Sequence, residues 1–270
     1  MDQETLNKRL YKAVDMEDLK LVKSCLAKGA DPNKAFGLAL MKNNLPICHA
    51  LINGGLKPSR IMIASRSRYR YGPTGEYSYL GYAASKNMVE IMRALIDKGA
   101  SLDGQVCGYT AIMIAAKRGK TLAVKELLAH KGHHTDSVRW ALCLAARYGR
   151  TPSVKALLEY DDPDVFSYDS PKEKALMIAI EKNHTNVVKA LISHGADVSK
   201  IDGNQFSPLM WASMHSDVTM VELLLGAGAD PTLANSRGMT PLHCALSGET
   251  KTDNAIALMK GGALTKASGD

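Results

Sequence analysis

The chain has 270 residues, of which 46% are hydrophobic and 6% aromatic, and its formal net charge is +7. The hydrophobic share excludes a disordered chain, the few aromatic residues favour small packed helices over a β-sandwich, and no run approaches the roughly 18 apolar residues of a membrane span. The modest positive charge indicates either an acidic or phosphorylated partner or a generally solvated basic surface.

Two helix pairs are predicted in the first sixty residues, and both end on glycine. In the first, Leu10-Tyr-Lys-Ala13 leads to Lys28-Gly-Ala-Asp31, and in the second, Ala35-Phe-Gly-Leu-Ala39 leads to Asn53-Gly-Gly55. Small apolar residues let two helices approach closely, and glycine supplies the left-handed residue that ends a helix. Both copies are degenerate forms of a pattern that is clearer further along the chain.

The connection that follows the second copy is about a third of a repeat too long. Its predicted partner-binding residues are Arg66, Arg68, Tyr69, Arg70 and Tyr71. In an extended strand the arginines would share one face and the tyrosines the other, and Gly72-Pro73 would supply a turn. We therefore expect a two-stranded finger with a basic side for an acidic partner, while nucleic-acid contact and a solvated loop stay open alternatives.

The copies after the insertion recur with a period of about 33 residues, so that Ala175, Pro208 and Pro241 occupy equivalent positions. Three further copies precede them in the same frame, and they contain Tyr79-Leu-Gly-Tyr-Ala-Ala84, Thr110-Ala-Ile-Met-Ile-Ala-Ala116 and Arg139-Trp-Ala-Leu-Cys-Leu-Ala-Ala146. Two copies lack a regular glycine ending, at residues 129–136 and 159–164, where irregular connections are expected.

The phased motifs Thr240-Pro241-Leu242-His243, Gly29-Ala30-Asp31, Gly195-Ala196-Asp197 and Gly228-Ala229-Asp230 together resemble the ankyrin-repeat family. The resemblance implies an all-α solenoid of stacked antiparallel helix pairs with projecting hairpin-like fingers. It covers residues 1–270 as a single domain with approximate repeats 5–33, 34–63, 64–103, 104–136, 137–169, 170–203, 204–236 and 237–270. Thr240 is expected to cap a helix, and Pro241 occupies the first helical turn without losing a hydrogen bond.

The resemblance also implies a non-enzymatic protein-interaction module or scaffold, which binds another protein through a concave face made by the fingers and first helices. Besides the insertion, the predicted contact residues are Tyr109, Lys117, Arg118, Arg139, Arg147, Tyr148, Phe206 and Trp211. Trp211 is equally compatible with packing between repeats and with a binding hot spot. The alternative function is a basic accessory module that contacts nucleic acid or phosphorylated ligands.

The histidines offer one candidate metal site, formed by His130, His133 and His134 with Asp136, although their spacing matches no closed structural site. An exposed polar hairpin is the competing interpretation. His194 and His243 are expected to make structural hydrogen bonds, as is common in the family. His184 and His215 have no visible partner in the sequence, and no cofactor is expected because phosphate-binding glycine motifs are absent.

The five cysteines are odd in number and show no CxxC pairing, which favours free thiols in a reducing compartment. The N-terminus lacks the pattern of a secretory signal, so the cytoplasm is the expected location. Irregular repeats would also fit a bacterial effector that acts on a host protein in the host cytoplasm. The unbound protein is expected to be monomeric.

Overall fold

The computed structural model describes residues 2–59, 61–63, 76–130, 132, 135–160, 162, 165–166, 171–247 and 251–263. The described chain forms two compact units, Met1–Val138 and Arg139–Asp270. Paired helices joined by short loops build the first unit, and their bounds are α1 Gln3–Asp15, α2 Leu19–Ala27, α3 Phe36–Lys42, α4 Leu45–Asn53, α5 Tyr79–Lys86, α6 Val89–Asp97, α7 Ala111–Lys117 and α8 Thr121–Leu128. A short 3-10 helix, Pro32–Lys34, precedes α3.

The second unit continues the same pairing of helices. Its helices, the first of which begins just before the boundary, are α9 Thr135–Arg147, α10 Thr151–Leu158, α11 Pro171–Glu181, α12 Thr185–Ser193, α13 Pro208–His215, α14 Val218–Gly226, α15 Pro241–Ser247 and α16 Lys251–Lys260. One helix pair therefore falls in each predicted repeat, which confirms the all-α repeat fold. Within the described part of the chain, no helix is long and apolar enough to cross a membrane.

Helix ends follow the predicted local chemistry. The Ser207 side chain accepts a hydrogen bond from the backbone N–H of Met210 at 3.2 Å, and Pro208 occupies the first turn of α13. Gly195 and Gly228, which follow second helices, have φ angles of 82° and 90°. The predicted left-handed glycines are thereby confirmed.

In several repeats the loop between the two helices of a pair also contains a left-handed residue, which the sequence pattern did not indicate. Asn43, Asn87, Gly119, Gly149 and Asn183 occupy equivalent loops with φ angles between 54° and 66°. Asparagine and glycine tolerate this conformation better than other residues. The chain therefore reverses direction in the same way in repeats whose sequences differ.

Each unit buries the facing sides of its helices. Fully buried side chains include Leu10, Phe36, Ile47, Ile91 and Leu127 in the first unit and Leu142, Leu157, Leu191 and Leu224 in the second. A buried polar contact joins the last helix to the preceding pair, because Asn254 Nδ2 donates to the backbone oxygens of Ser213 and Ser216 at 3.1 and 3.0 Å. Aliphatic packing, supplemented by this polar contact, holds the repeats together.

The long connection begins and ends in a short antiparallel pairing. Strand β1, Ile61–Ile63, pairs with β2, Glu76–Ser78, with Ile61 opposite Ser78. The predicted strand that carries Arg66 to Tyr71 lies outside the described residues. At the start of α5, the buried ring of Tyr79 packs edge-on against Phe36 of α3 with a centroid separation of 4.7 Å.

Candidate functional site

In the first unit, three cationic side chains from two consecutive helix pairs lie against tyrosine rings. Lys86 ends α5, whereas Lys117 and Arg118 end α7. The tyrosines come from β2, from α5 and from the finger before α7. We call this set the basic surface, and its members are Tyr77, Tyr82, Lys86, Tyr109, Lys117 and Arg118.

The closest cation–ring contact in the basic surface joins Lys117 to Tyr109. The Lys117 Nζ atom lies 4.7 Å from the centroid of the Tyr109 ring and donates a hydrogen bond to the phenolic oxygen at 3.4 Å. Lys86 Nζ lies 5.9 Å from the centroid of the Tyr82 ring. A cation held over an aromatic face is attracted by the electrons of the ring. The tyrosines therefore orient two lysines of consecutive repeats.

Arg118 reaches the neighbouring repeat. Its Nη2 atom donates to the phenolic oxygen of Tyr77 at 3.0 Å, and its guanidinium carbon lies 6.0 Å from the ring centroid. The Tyr77 and Tyr82 rings meet edge-on at 5.8 Å, and both are buried. Burial raises the pKa of Tyr82 although the positive charge of Arg118 opposes the shift. The Tyr82 phenol thus stays neutral near pH 7 and adds no negative charge to the surface.

The second unit carries a different surface, an open groove of about 530 Å³. Its apolar lining comes from α9, from α11 and from the finger between α12 and α13. We call it the apolar groove, and the residues that define it are Trp140, Cys143, Met177, Ile178, Lys200 and Ile201. Trp140 is 62% exposed and Ile201 is 44% exposed, so two large apolar side chains face solvent there.

Trp211 lies close to this groove in the chain fold but does not line it. Its indole Nε1 donates to Asp202 Oδ2 at 3.1 Å, and its ring lies 5.6 Å from Phe206 and 5.1 Å from His215 between centroids. Trp211 is half-buried. The residue packs on its own finger, and both interpretations left open by the sequence stay predictions.

The other predicted contact residues are spread over the second unit. Arg139 Nε donates to the Val165 backbone oxygen at 2.8 Å, so this guanidinium supports the irregular connection of its own repeat. Arg147 and Tyr148 are exposed at the end of α9. The predicted residues of the insertion lie outside the described residues. The structure therefore brings together Tyr109, Lys117 and Arg118.

Sequence reasoning missed Tyr77, Tyr82, Lys86 and Trp140. For Lys86 a signal was present, because Ala83-Ala84-Ser85-Lys86 aligns with Ala115-Ala116-Lys117-Arg118 at the end of a first helix. The buried tyrosines carried no such signal, since their role depends on which neighbouring repeat they contact. Trp140 lies in the helical segment predicted from Arg139 to Ala146, and only its exposure in the structure distinguishes it from a core tryptophan.

The histidines have structural partners. His194 Nδ1 lies 2.8 Å from the Ala190 backbone oxygen, and the Thr240 N–H donates to His243 Nδ1 at 3.2 Å, as expected for structural roles. The structure also supplies partners for His184 and His215, for which the sequence showed none. His184 Nε2 lies 3.1 Å from the Arg147 backbone oxygen, a contact between residues far apart in the chain. His215 packs on Trp211, which lies one turn earlier in α13.

The proposed metal ligands are only partly described. His130 Nε2 lies 3.3 Å from Glu126 Oε1, which also accepts a hydrogen bond from Arg93. His133 and His134 lie outside the described residues. Among the described residues, no group of three histidine, cysteine, aspartate or glutamate side chains is arranged to hold a metal ion.

Comparisons with known proteins extend the structural picture. A family model described as ankyrin repeats matches residues 80–169 and 142–235, which together exceed half of the chain. Human "Ankyrin repeat and SOCS box protein 6" is 32% identical over 165 residues, covering 57% of this chain and 39% of that protein. The solved ankyrin repeat domain of Bcl-3 has a TM-score of 0.64 at 25% identity and covers 86% of this chain and 99% of that one.

A further relative is the "E3 ubiquitin-protein ligase KEG" of Arabidopsis thaliana, which is 33% identical over 164 residues. The match covers 60% of this chain and only 10% of that ligase. The chain thus spans well under half the length of these two sequence relatives. The ankyrin-repeat fold that the family model matches is an interaction module.

Proposed function

The chain belongs to the ankyrin-repeat family, whose repeats are protein-interaction modules, and we propose that it binds an acidic segment of a partner protein. The basic surface of the first unit carries this proposal. The single observation behind it is that Lys117 and Arg118, at the end of the first helix α7, are held in defined orientations by Tyr109 and Tyr77. The proposal includes no catalytic activity and no cofactor.

An orientated cation is a better recognition element than a flexible one. The Arg118 guanidinium presents its donors in a fixed plane that suits a carboxylate or a phosphate, and its hydrogen bond to Tyr77 restricts the side chain before binding. Lys86 adds a third positive charge from the preceding helix pair. Complementary charge raises the rate of encounter and selects acidic partners.

The test uses fluorescence anisotropy with a labelled peptide of alternating glutamate and glycine. We expect the double variant Lys117→Glu/Arg118→Glu to bind about tenfold more weakly, because two surface charge contacts together contribute about 1.4 kcal/mol. The matched control is Lys20→Glu/Lys23→Glu, which makes the same change of charge on the exposed side of α2. Equal affinity of the two double variants would remove the basic surface from the proposal.

Two further ligands distinguish the alternatives. The same peptide with phosphoserine in place of glutamate tests phosphate recognition at this surface. A short random-sequence DNA duplex tests the basic accessory module, whose binding would fall steeply with added salt. If the duplex binds more tightly than either peptide at physiological salt, nucleic acid is the better assignment.

The remaining predictions about biological setting stay predictions. They are the cytoplasmic location, the monomeric state before binding and the action of a bacterial effector on a host protein. Sedimentation of the purified chain tests the monomeric state directly. A pull-down with the full chain as bait, repeated with the charge-reversed variant, would link a captured protein to the basic surface.

A further inference from the structure

We infer that helix α16, in the last repeat, pairs in an antiparallel arrangement with α16 of a second copy of this chain. The paired surface is an exposed stripe, which we call the α16 stripe and which consists of Asp253, Ile256, Met259 and Lys260. The stripe lies in the second unit and the basic surface in the first, so the pairing does not depend on the acidic-segment proposal. The monomer expected from the sequence then describes the protein only at low concentration.

The first observation is an isoleucine at a position that is polar in the other repeats. The backbone oxygen of Leu224 accepts the hydrogen bond that closes α14, and that of Leu258 closes α16 in the same way, both at 3.0 Å. Glu222 and Ile256 each lie two residues before the accepting leucine, so they are equivalent. The same position in the six earlier repeats is occupied by Lys23, His49, Arg93, Lys125, Lys155 and Lys189. The last repeat alone has an apolar residue there, and Ile256 is 40% exposed.

The second observation is that Met259 occupies a stacking position that no part of the described chain covers fully. Its equivalent in the preceding repeat, Leu225, packs against the next helix pair, because a Cβ atom added at Gly261 would lie 2.9 Å from Leu225 Cδ1. Leu26 makes the corresponding contact in the first repeat. Both leucines are partly covered, whereas Met259 is 40% exposed. Ile256 lies one turn before Met259, so the two form one exposed apolar surface.

The third observation is the opposite charge at the two ends of the stripe. Asp253 lies in the first turn of α16 and Lys260 in the last turn. Both are exposed, and within the described chain neither side chain forms an ion pair. The midpoint of the stripe lies between residues 256 and 257, and the two charged residues are equally far from it. In an antiparallel pair about this midpoint, Asp253 of each copy therefore lies beside Lys260 of the other.

A second copy fits this stripe because the stripe is complementary to itself. A two-fold axis places the apolar centre against its own copy and forms two contacts between opposite charges, whereas a parallel pair would place like charges together. One helix face is small compared with the roughly 1,200–2,000 Å² of stable interfaces, so we expect a weak and reversible dimer. A dimer carries two basic surfaces and would bind a partner with two acidic segments more tightly; only this consequence rests on the proposed function.

Analytical ultracentrifugation of the full chain, from micromolar to millimolar concentration, tests the pairing. We expect a monomer–dimer equilibrium without larger species, because a two-fold interface closes on itself. Ile256→Lys introduces the residue type found at the equivalent position of four earlier repeats and should raise the dimer Kd about tenfold. The matched control is Leu122→Lys, which changes a residue that is 61% exposed in the other unit and should leave the Kd unchanged.

Reversing the end charges tests the antiparallel arrangement independently of Ile256. Asp253→Lys and Lys260→Asp should each raise the dimer Kd about tenfold, because each places like charges side by side. An equimolar mixture of the two single variants should recover the original Kd, since every aspartate then faces a lysine in the mixed dimer. A purely local effect of either substitution on α16 would not be repaired by mixing. Circular dichroism confirms that each variant is folded.

The outcomes are distinct for the pairing and for the acidic-segment proposal. The pairing is refuted if the chain stays monomeric at millimolar concentration, if it forms open-ended oligomers, or if the mixture associates no better than the single variants. Equal dimer Kd values for Ile256→Lys and Leu122→Lys would also refute it. Failure of the acidic peptide to bind the basic surface would leave all of these results unchanged.

Discussion

At Gly149 and Gly195, two causes of destabilisation by an added side chain can be separated: backbone strain in the left-handed conformation and steric contact of the new Cβ atom. Both have positive φ angles, 65° and 82°. A Cβ atom at Gly195 would meet nothing within 4 Å, whereas one at Gly149 would lie 3.0 Å from the Cε1 and Nδ1 atoms of the His184 ring. The two glycines therefore share backbone strain, and they differ in steric contact.

The magnitudes follow from this geometry. Gly195→Ala should lower the free energy of unfolding by about 1–2 kcal/mol, the usual cost of a non-glycine residue in the left-handed region. Gly149→Ala adds the displacement of His184, which breaks its contact with the Arg147 backbone oxygen and costs a further 0.5–1.5 kcal/mol or so. The expected total at Gly149 is about 1.5–3.5 kcal/mol.

Urea unfolding followed by circular dichroism measures both variants, and His184→Ala is made in each background. The extra cost at Gly149 should disappear once His184 is removed, because the methyl group then has no ring to displace. Equal destabilisation by Gly149→Ala and Gly195→Ala would refute the steric argument. So would an excess at Gly149 that persists without His184.

Three further predictions concern Asn254, two cysteines and Glu126. Asn254→Ala should lower the free energy of unfolding by about 1–3 kcal/mol in urea titrations, because two buried carbonyl oxygens lose their donor. Near pH 8 a disulfide reagent should label exposed Cys107 at once and Cys48 only after unfolding, since burial raises the pKa of Cys48 to about 12; Cys107→Ser should abolish the fast phase. Glu126→Gln should destabilise the protein at neutral pH but not in acid. The hydrogen bond from Arg93 lowers the pKa of Glu126, so its stabilisation is present above the unfolded pKa and lost as pH falls through the folded pKa; a difference that is constant in acid titrations would contradict this.

Much of the candidate site followed from position within the repeat. Tyr109, Lys117 and Arg118 were predicted as contact residues from equivalent positions, and the structure brings these three together. The partner-binding role itself stays a prediction. The role of Trp211 could not be decided from the sequence. A tryptophan at this helical position can pack or bind a partner, depending on which side chains of the adjacent finger it contacts. The bond from Trp211 to Asp202 appears only in the structure, and the role of Trp211 stays a prediction.

The sequence by itself determined the repeat period, the helix pairs and the glycines that end them. These features depend on interactions within a few residues, such as Ser207 capping α13 or a positive φ at Gly195. Only the tertiary structure decided which exposed side chains share a surface. Arg118 contacts Tyr77 of the neighbouring repeat, and Ile201 lines the same groove as Trp140. These residues meet because stacking of repeats brings together side chains that are far apart in the chain.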